Sequence, residues 1–516
     1  MSQERSGRAT RRSFLTAVGA TSVVAVAGCL GEEGPGNGEE IVVTQGEFAP
    51  NADPNADNAT PTYNVLDQVY EPIFDITPDG DIEPHVVEAW EFPEDGIVEL
   101  TVREDVVFHE GQEMTASDVA YTINRQVQED VGIASPQVDG LAGILGAEAE
   151  DETTVTVEHE VSPSLAEFGL GVFGRVVNEE WVEEREQPVT DEMNGTGPYR
   201  VEEFNPGDET AVYTAFEDYW GDPPGVERVR FQAIDESSTR VGELQTGESD
   251  LIVNVPPTDV DTIDTEDGVE IRTVTSFRNI FLVMTNDGPP FDSLEFRQAM
   301  NHAVDSQGII DTILGGFGQP MTQPVPEGIF GYDPELEPYE YDPDLAEELI
   351  EESGHEGEEI TLYHPEGRYL NDTEIAETAA EQIDELDAVD CTSEIEPFDS
   401  LVEMILDGDP TTSPDFFLIG WGNPTYDSNY GLTPWFVEGQ ASYNFVDEEI
   451  EEMIEESQTI EDEDEREEAL QEINAELREA APWVFLHLQE SIYGVRDDLE
   501  WEPRSDESIY VDRMGL

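Results

Sequence analysis

Lysine is missing altogether: every one of the 21 basic residues in this 516-residue chain is arginine, set against 122 Asp and Glu. Without lysine there is no P-loop, no pyridoxal Schiff base and no catalytic lysine. Nucleic acid is excluded as a partner, because phosphate backbones are held by clustered Lys or Arg and the net charge here is -101. Cysteine is almost as scarce. Only Cys29 and Cys391 occur, and Cys29 falls in a targeting pattern, so Cys391 has no disulfide partner in the body and reads as a small buried residue. The seven histidines, at 85, 109, 159, 302, 355, 364 and 487, are scattered, and H-E-x-x-H, G-x-S-x-G and C-x-x-C are all absent. No metal, no cofactor and no catalytic constellation is expected, so the chain does not read as an enzyme.

A long apolar run is lacking too. Residues 14–27 are apolar but rich in Gly, Ser, Thr and Ala, and fall short of the ~20 residues that span a bilayer. They are preceded by Arg11, Arg12 and Ser13, open with Phe14 and Leu15 at the spacing a twin-arginine signal favours, and lead into the exit Val26-Ala27-Gly28-Cys29. A charged head, a short apolar middle and a small-residue exit make an export signal, here of the twin-arginine kind. The exit resembles a lipobox, in which Cys29 is lipidated and begins the mature chain. "LGEEGPGNGEE" then has the composition of a flexible, self-repelling tether. The expected location is outside the cell, lipid-anchored on the outer face of the cytoplasmic membrane.

Removing residues 1–28, with four arginines and Glu4, leaves 17 bases against 121 acids, a charge of -104. Such a body repels itself in dilute buffer, whereas molar salt cuts the screening length to ~3 Å. The chain is not disordered, since 37% of it is hydrophobic and it carries 7 Trp, 16 Tyr and 22 Phe. The combination resembles the exported proteins of salt-loving archaea.

Along the body, strand and helix patterns alternate. "EEIVVTQGEF" opens with a strand. "GIVELTVREDVVFHEGQEMTASDVAYTINRQV" is an alternating stretch, a turn and a helix, with Thr115 and Ser117 as caps and Asp118 in the first turn. "RNIFLVMTN" at 278–286 reads as a buried strand. Leu294, Phe296, Met300, Ala303 and Val304 have helical spacing, and 447–482 reads as two acidic helices with Ile450, Met453, Ile454, Leu470 and Ile473 on one stripe. The fold class is α/β, and about 475 residues imply two or three lobes.

"FHEGQEMTASDVAYT", "GTGPY", "YWGDPP", "QTGESDL", "FRQAMNHAVD" and "YDPDLAEELIEESG" follow one another in this order. With them the chain resembles the extracytoplasmic solute-binding proteins of the peptide/nickel-binding family (family 5) of ABC importers, in a haloarchaeal lipoprotein form. The resemblance implies a two-lobed periplasmic-binding-protein-like fold with the ligand cleft between the lobes. Its expected divisions are the signal at 1–28, the tether at 29–38, lobe I at 39–75, 190–277 and 484–516, an inserted subdomain at 76–189, and lobe II at 278–483. The chain crosses between lobes near 277–283 and near 485–489.

By position in that family, ligand contacts are expected from Gln45, Glu47, Phe48, Arg278, Trp421, Asn423, Tyr426 and Asp427. Trp421 offers a flat apolar face and one N–H. The peptide binders place an aspartate three residues after this tryptophan to pair with the peptide's α-ammonium group, but here Pro424 stands in its place. Asn423 or Asp427 would have to replace it, or the solute is of another class, such as an oligosaccharide or a metal chelate. His109 and His302 read as packing residues, Gly195, Gly197 and Pro198 as a backbone turn, and 75–83 as a plain turn with no calcium. The expected partners are a small solute, a permease and its ATPase, with the receptor itself a monomer. A chemosensory receptor and a surface hydrolase are the readings from other classes.

Overall fold

Ile280, Phe281, Leu282, Val283 and Met284 are each at most 1% exposed, as a continuous apolar run must be when it forms a strand covered on both faces. They end the strand Val269–Met284, which pairs antiparallel with Trp483–Arg496. The sequence pattern marks only the second half of the first strand. Its earlier part, "VEIRTVTSF", is half-exposed and is held by the far half of its partner. The computed structural model describes residues 40–515 except 129, 130, 134, 142, 408–412 and 441, so Arg11, Arg12, Cys29 and the tether lie outside the described residues.

The two long strands are the spine of a mixed sheet. Its order is Val389–Ile395, Glu358–His364, Phe416–Gly422, Val269–Met284, Trp483–Arg496, Leu251–Ile252, Glu40–Gln45, Arg228–Ala233, Thr210–Ala215 and Tyr199–Asn205. Gln319–Pro320 adds a short pairing to Trp483–Arg496. A separate four-stranded antiparallel sheet is built from Val87–Glu94, Ile97–Val102, Thr154–His159 and Ile144–Ala149.

Three apolar cores follow from this. One holds Ile41, Val43, Tyr213, Phe231 and Val495, and receives the C-terminal tail through Ile509, Val511 and Met514. A second, under the four-stranded sheet, holds Phe74, Val98, Phe108, Ile123 and Phe173. The third holds Phe281, Met300, Leu362, Leu418, Trp435 and Trp483, with the rings of Phe281 and Trp483 stacked at 3.8 Å. The mixed α/β, two-lobed architecture is the expected one.

Local expectations hold in most places. Thr115 caps the helix Ala116–Val127, where the Asp118 carboxylate accepts from Thr115 N (2.9 Å) and Thr115 Oγ1 (3.1 Å). Ser117 donates instead to Glu179. The acidic helices are Glu448–Ser457 and Glu463–Ala480, with Ile450, Ile454, Leu470 and Ile473 buried. Cys391 is 5% exposed, and burial pushes its thiol up to about 12. Gly195 and Gly197 are there for close approach, since a Cβ would meet the Val69 carbonyl oxygen at 2.0 and 2.7 Å. Among the described residues no helix is long and apolar enough to cross a membrane.

The cores are tied together by polar clusters. Glu71 accepts from Tyr219 Oη (2.7 Å) and Trp220 Nε1 (2.8 Å), and His85 Nε2 lies 3.1 Å from it. Burial works to raise Glu71 and to lower His85, but their mutual attraction and hydrogen bond, joined by the Trp220 and Tyr219 bonds to Glu71 and by Asp75 near His85, outweigh it together, leaving Glu71 below and His85 above their ordinary 4.5 and 6.5. A raised base stabilises fully below 6.5 and loses its contribution as pH rises through its folded value; a lowered acid stabilises above 4.5 and loses its contribution as pH falls. His109 and His487, pushed down by burial to about 4 and about 3, are held neutral and oppose the His85 effect. The readout is therefore the difference in melting midpoint between wild type and His85→Asn. It is expected to be largest between about pH 5 and about pH 6 and to shrink above about pH 7. A difference that stays constant from about pH 5 to about pH 9 would remove the ion pair from the account.

Candidate functional site

The two long strands lose register halfway along. Thr275 pairs with Glu490 and Asn279 with Leu488, so Ser276, Phe277 and Arg278 face Gln489 alone. Such a bulge bends the strand and turns side chains away from the ladder. Here they turn toward a cavity of about 770 Å³ whose walls draw on all three cores. That volume lies within the ~300–1,000 Å³ of small-molecule sites.

The wall is aromatic. Tyr63, Phe74, Phe277, Phe398, Trp421 and Tyr430 are among the rings that line it. It also carries four of the body's few arginines, each beside an acid on the same wall. Arg278 Nη2 lies 2.6 Å from Glu507, Arg175 Nη2 2.9 Å from Asp67, Arg368 Nε 3.1 Å from Glu47, and Arg504 Nε 3.0 Å from Asp506. The Arg175 guanidinium also lies over the Tyr63 ring at 3.9 Å. Burial would raise the Glu507 carboxyl, but Arg278, with the Ser276 hydrogen bond and the nearby Arg368, holds the group below the usual range. The result is a cleft of flat apolar faces whose four arginines are each compensated in place, with further acids, Asp57, Glu209, Asp235 and Glu366 among them, on the same wall. Tyr63 Oη and Gln45 Oε1 are buried without a hydrogen-bond partner.

Of the eight residues expected to contact ligand, Glu47, Phe48, Arg278, Trp421 and Asn423 line this cavity. Gln45 lines a small adjoining chamber of about 40 Å³, with its Nε2 donating to Pro61 O at 2.8 Å. Tyr426 and Asp427, also expected at the site, do not line the cavity. Asp427 is 1% exposed, and both of its oxygens are taken by Arg466, at 2.6 and 2.8 Å, while one also accepts from Asn429 N. Tyr426 has φ +56°, packs on Phe277 at 5.1 Å, and its hydroxyl donates to Pro78 O.

Two residues that do reach the wall have their polar groups engaged within the protein. The Asn423 amide is committed at both ends, donating to Asp427 O (2.9 Å) and accepting from Thr425 Oγ1 (3.0 Å). Trp421 gives its N–H to Tyr430 O at 3.0 Å, so it offers a ring face and no donor. Neither Asn423 nor Asp427 can therefore stand in for the aspartate replaced by Pro424.

Sequence reasoning missed Tyr63, Arg175, Arg368 and Glu507. The usable signal was rarity: in an arginine-poor body each arginine away from the surface marks a structural or functional cluster. His109 and His302 are packing residues as expected, the first bonding Gly197 O through Nε2 at 2.9 Å and the second Glu340 O through Nδ1 at 2.7 Å. Residues 75–83 are the turn of the hairpin Phe74–Ile76 and Ile82–Pro84. Among the described residues no group of three or more His, Cys, Asp or Glu is placed to hold a metal. Asn194, which heads an N-x-S/T glycosylation pattern with Gly195 and Thr196, is 1% exposed with its Oδ1 accepting from Glu110 N, so it is closed to glycosylation in the folded chain.

Known proteins share this fold. The ABC transporter-associated periplasmic binding protein DppA of Helicobacter pylori, solved in complex with the peptide STSA, superposes with a TM-score of 0.84 at 21% identity, covering 92% of this chain and 98% of that one. NikA of Staphylococcus aureus, solved with Ni(L-His)2, gives 0.81 at 18% identity, covering 93% of this chain and 100% of that one. In sequence, the glutathione-binding protein GsiB of Escherichia coli K12 is 22% identical over 444 residues, 83% of this chain and 82% of its own. Heme-binding protein A of Haemophilus influenzae is 26% identical over 303 residues, and the match spans about half of each chain, 53% of this one and 54% of the relative. Residues 81–443 match the family described as "Bacterial extracellular solute-binding proteins, family 5 Middle", and the chain belongs to that family.

Proposed function

We propose that this chain is the substrate-binding component of an ABC importer, capturing a peptide or related small organic solute outside the cell and delivering it to a membrane permease. The observation that carries this reading is the large aromatic cavity between the cores, whose arginines are each paired with an acid on its wall. Binding without chemistry is what such a site can do. The loop after Trp421 offers no counter-charge for an ammonium group, because Asp427 belongs to Arg466 and a buried cation without a counter-charge is costly. A solute whose end there is uncharged is therefore favoured, unless Glu209, Asp235 or Glu366 elsewhere on the wall supplies one. Amino-blocked peptides and oligosaccharides, which stack on aromatic faces, fit that condition.

The test is ligand-dependent melting of the purified protein in molar potassium chloride, with free and N-acetylated di- and oligopeptides, oligosaccharides and nickel chelates. A solute at about 100 times its Kd adds ~2.7 kcal/mol. Shifts confined to solutes without a free ammonium support the ligand class; shifts from free peptides alone sink it, and no shift from any member counts against the receptor reading.

Export by the twin-arginine route, lipidation at Cys29 and adaptation to high salt belong to the same proposal. They rest on the sequence pattern of residues 10–29 and on the body's charge. A Cys29→Ser chain is expected to leave the membrane fraction for the soluble extracellular one, and its retention in the membrane would end the lipid-anchor reading.

A further inference from the structure

Glu507 lies in the C-terminal tail, far along the chain from the strand it serves. The tail is fastened to the first core: Ile509 N donates to Asn64 Oδ1 (2.9 Å), and Gln68 Nε2 donates to Ile509 O (2.8 Å). From that anchorage the Glu507 carboxylate reaches the register break of the two long strands. It accepts from Ser276 Oγ (2.8 Å), from Arg278 Nε (3.0 Å) and Nη2 (2.6 Å), from Gln489 Nε2 (2.9 Å) and from Ser491 Oγ (3.3 Å).

All four donor residues lie in or beside the wider break in the spine of the sheet, between Thr275 and Asn279. The neighbouring backbone is drawn in as well, with Phe277 N on Ser505 O (2.8 Å) and Asn423 N on Phe277 O (3.0 Å). Glu507 itself has φ +64°, a conformation that a side chain adopts only where surrounding contacts impose it. Beyond the break, Ile280 to Met284 enter the third core, while the tail stays with the first. Ser276, Arg278 and Glu507 also line the cavity, so the cluster is both the floor of the cleft and the joint between two cores.

We infer that Glu507 is a positioning residue of the hinge: by gathering the donors freed at the strand break, it sets the angle at which the two cores face each other across the cleft. The charge-assisted bonds that a carboxylate accepts are short and directional, which suits it to fixing an angle more than to filling space. The inference rests on the receptor reading for its purpose, but its geometry is tested without any solute, so the two stand or fall separately.

The experiment places nitroxide labels at Glu209→Cys and Glu366→Cys, two exposed positions on the cavity rim, in the Cys29→Ser chain, where the buried Cys391 stays unlabelled. The distance distribution is recorded for that parent, for Glu507→Ala and for Glu507→Gln. The parent is expected to give one narrow population. Glu507→Ala should broaden it and move its mean outward. Glu507→Gln keeps an acceptor oxygen for Ser276 and Gln489 but leaves Arg278 uncompensated, and should broaden it less. A far-UV circular dichroism spectrum checks folding, and if the alanine variant does not fold, the glutamine variant decides alone. A merely structural role would lower the melting midpoint and leave the distances where they were; that result overturns the inference.

Discussion

Replacing Arg466 by methionine is expected to destabilise the protein by about 3–5 kcal/mol, the cost of leaving a buried partner charge uncompensated. Both side chains of the Arg466–Asp427 pair are 2% exposed, and the guanidinium grips both carboxylate oxygens. Arg466 also donates to Ser457 O (3.2 Å) and to Asn429 Oδ1, and Asp427 caps the helix Ser428–Phe436. Its removal therefore strands a carboxylate, a helix start and a backbone carbonyl together. Arg230, whose pair with Glu40 is over a quarter exposed on both sides, is the comparison, and Arg230→Gln should cost under about 1 kcal/mol. Denaturant unfolding in molar potassium chloride reads both. The double variant Asp427→Leu with Arg466→Met should regain part of the loss, since an apolar pair of similar volume needs no compensation. If Arg466→Met unfolds at the wild-type midpoint, the pair is not holding the loop after Trp421, and Asp427 is free to meet a solute after all.

That pair also shows why part of the site was hidden in the sequence. Periodicity is local: the stripe Phe296, Met300 and Ala303 is read from neighbours three and four apart, and the helix Leu294–Ala303 follows it. Helix ends are local too, and Gly247 and Gly354 stand in left-handed conformations where a glycine stop is expected. The partner of Asp427 is 39 residues away and that of Arg278 is 229 away, on elements whose own patterns say only that they are acidic or irregular. A residue placed by family position can thus reach the right loop and still point elsewhere, as Tyr426 and Asp427 do. The wall residues Glu47, Phe48 and Trp421 were legible only through the family resemblance, which places ligand contacts just after the first strand and at the end of the strand Phe416–Gly422.

Transfer to dilute buffer should unfold the protein, with far-UV ellipticity lost as potassium chloride falls from molar toward about 0.1 M. There the screening length grows from ~3 to ~10 Å and neighbouring carboxylates begin to feel one another. The helices Glu448–Ser457 and Glu463–Ala480 give the scale. Pairs such as Glu448/Glu452, Glu451/Glu455, Glu452/Glu456, Glu463/Glu467, Asp464/Glu468, Glu468/Glu472 and Glu472/Glu476 place like charges one turn apart. At ~0.2–0.5 kcal/mol for each such pair, these two helices alone shift ~1–4 kcal/mol against folding. That is a substantial share of the ~5–15 kcal/mol that holds a domain together. The buried pairs behave differently, because Arg466–Asp427 and Arg278–Glu507 are little screened at any salt and do not weaken as it is withdrawn. Unfolding should therefore begin at the acidic helices and reach the hinge last, which hydrogen exchange at intermediate salt resolves. A protein that keeps its ellipticity and melting midpoint below about 0.1 M salt would show that the -104 charge is spread too thinly to matter, and the salt-loving reading would have to be given up.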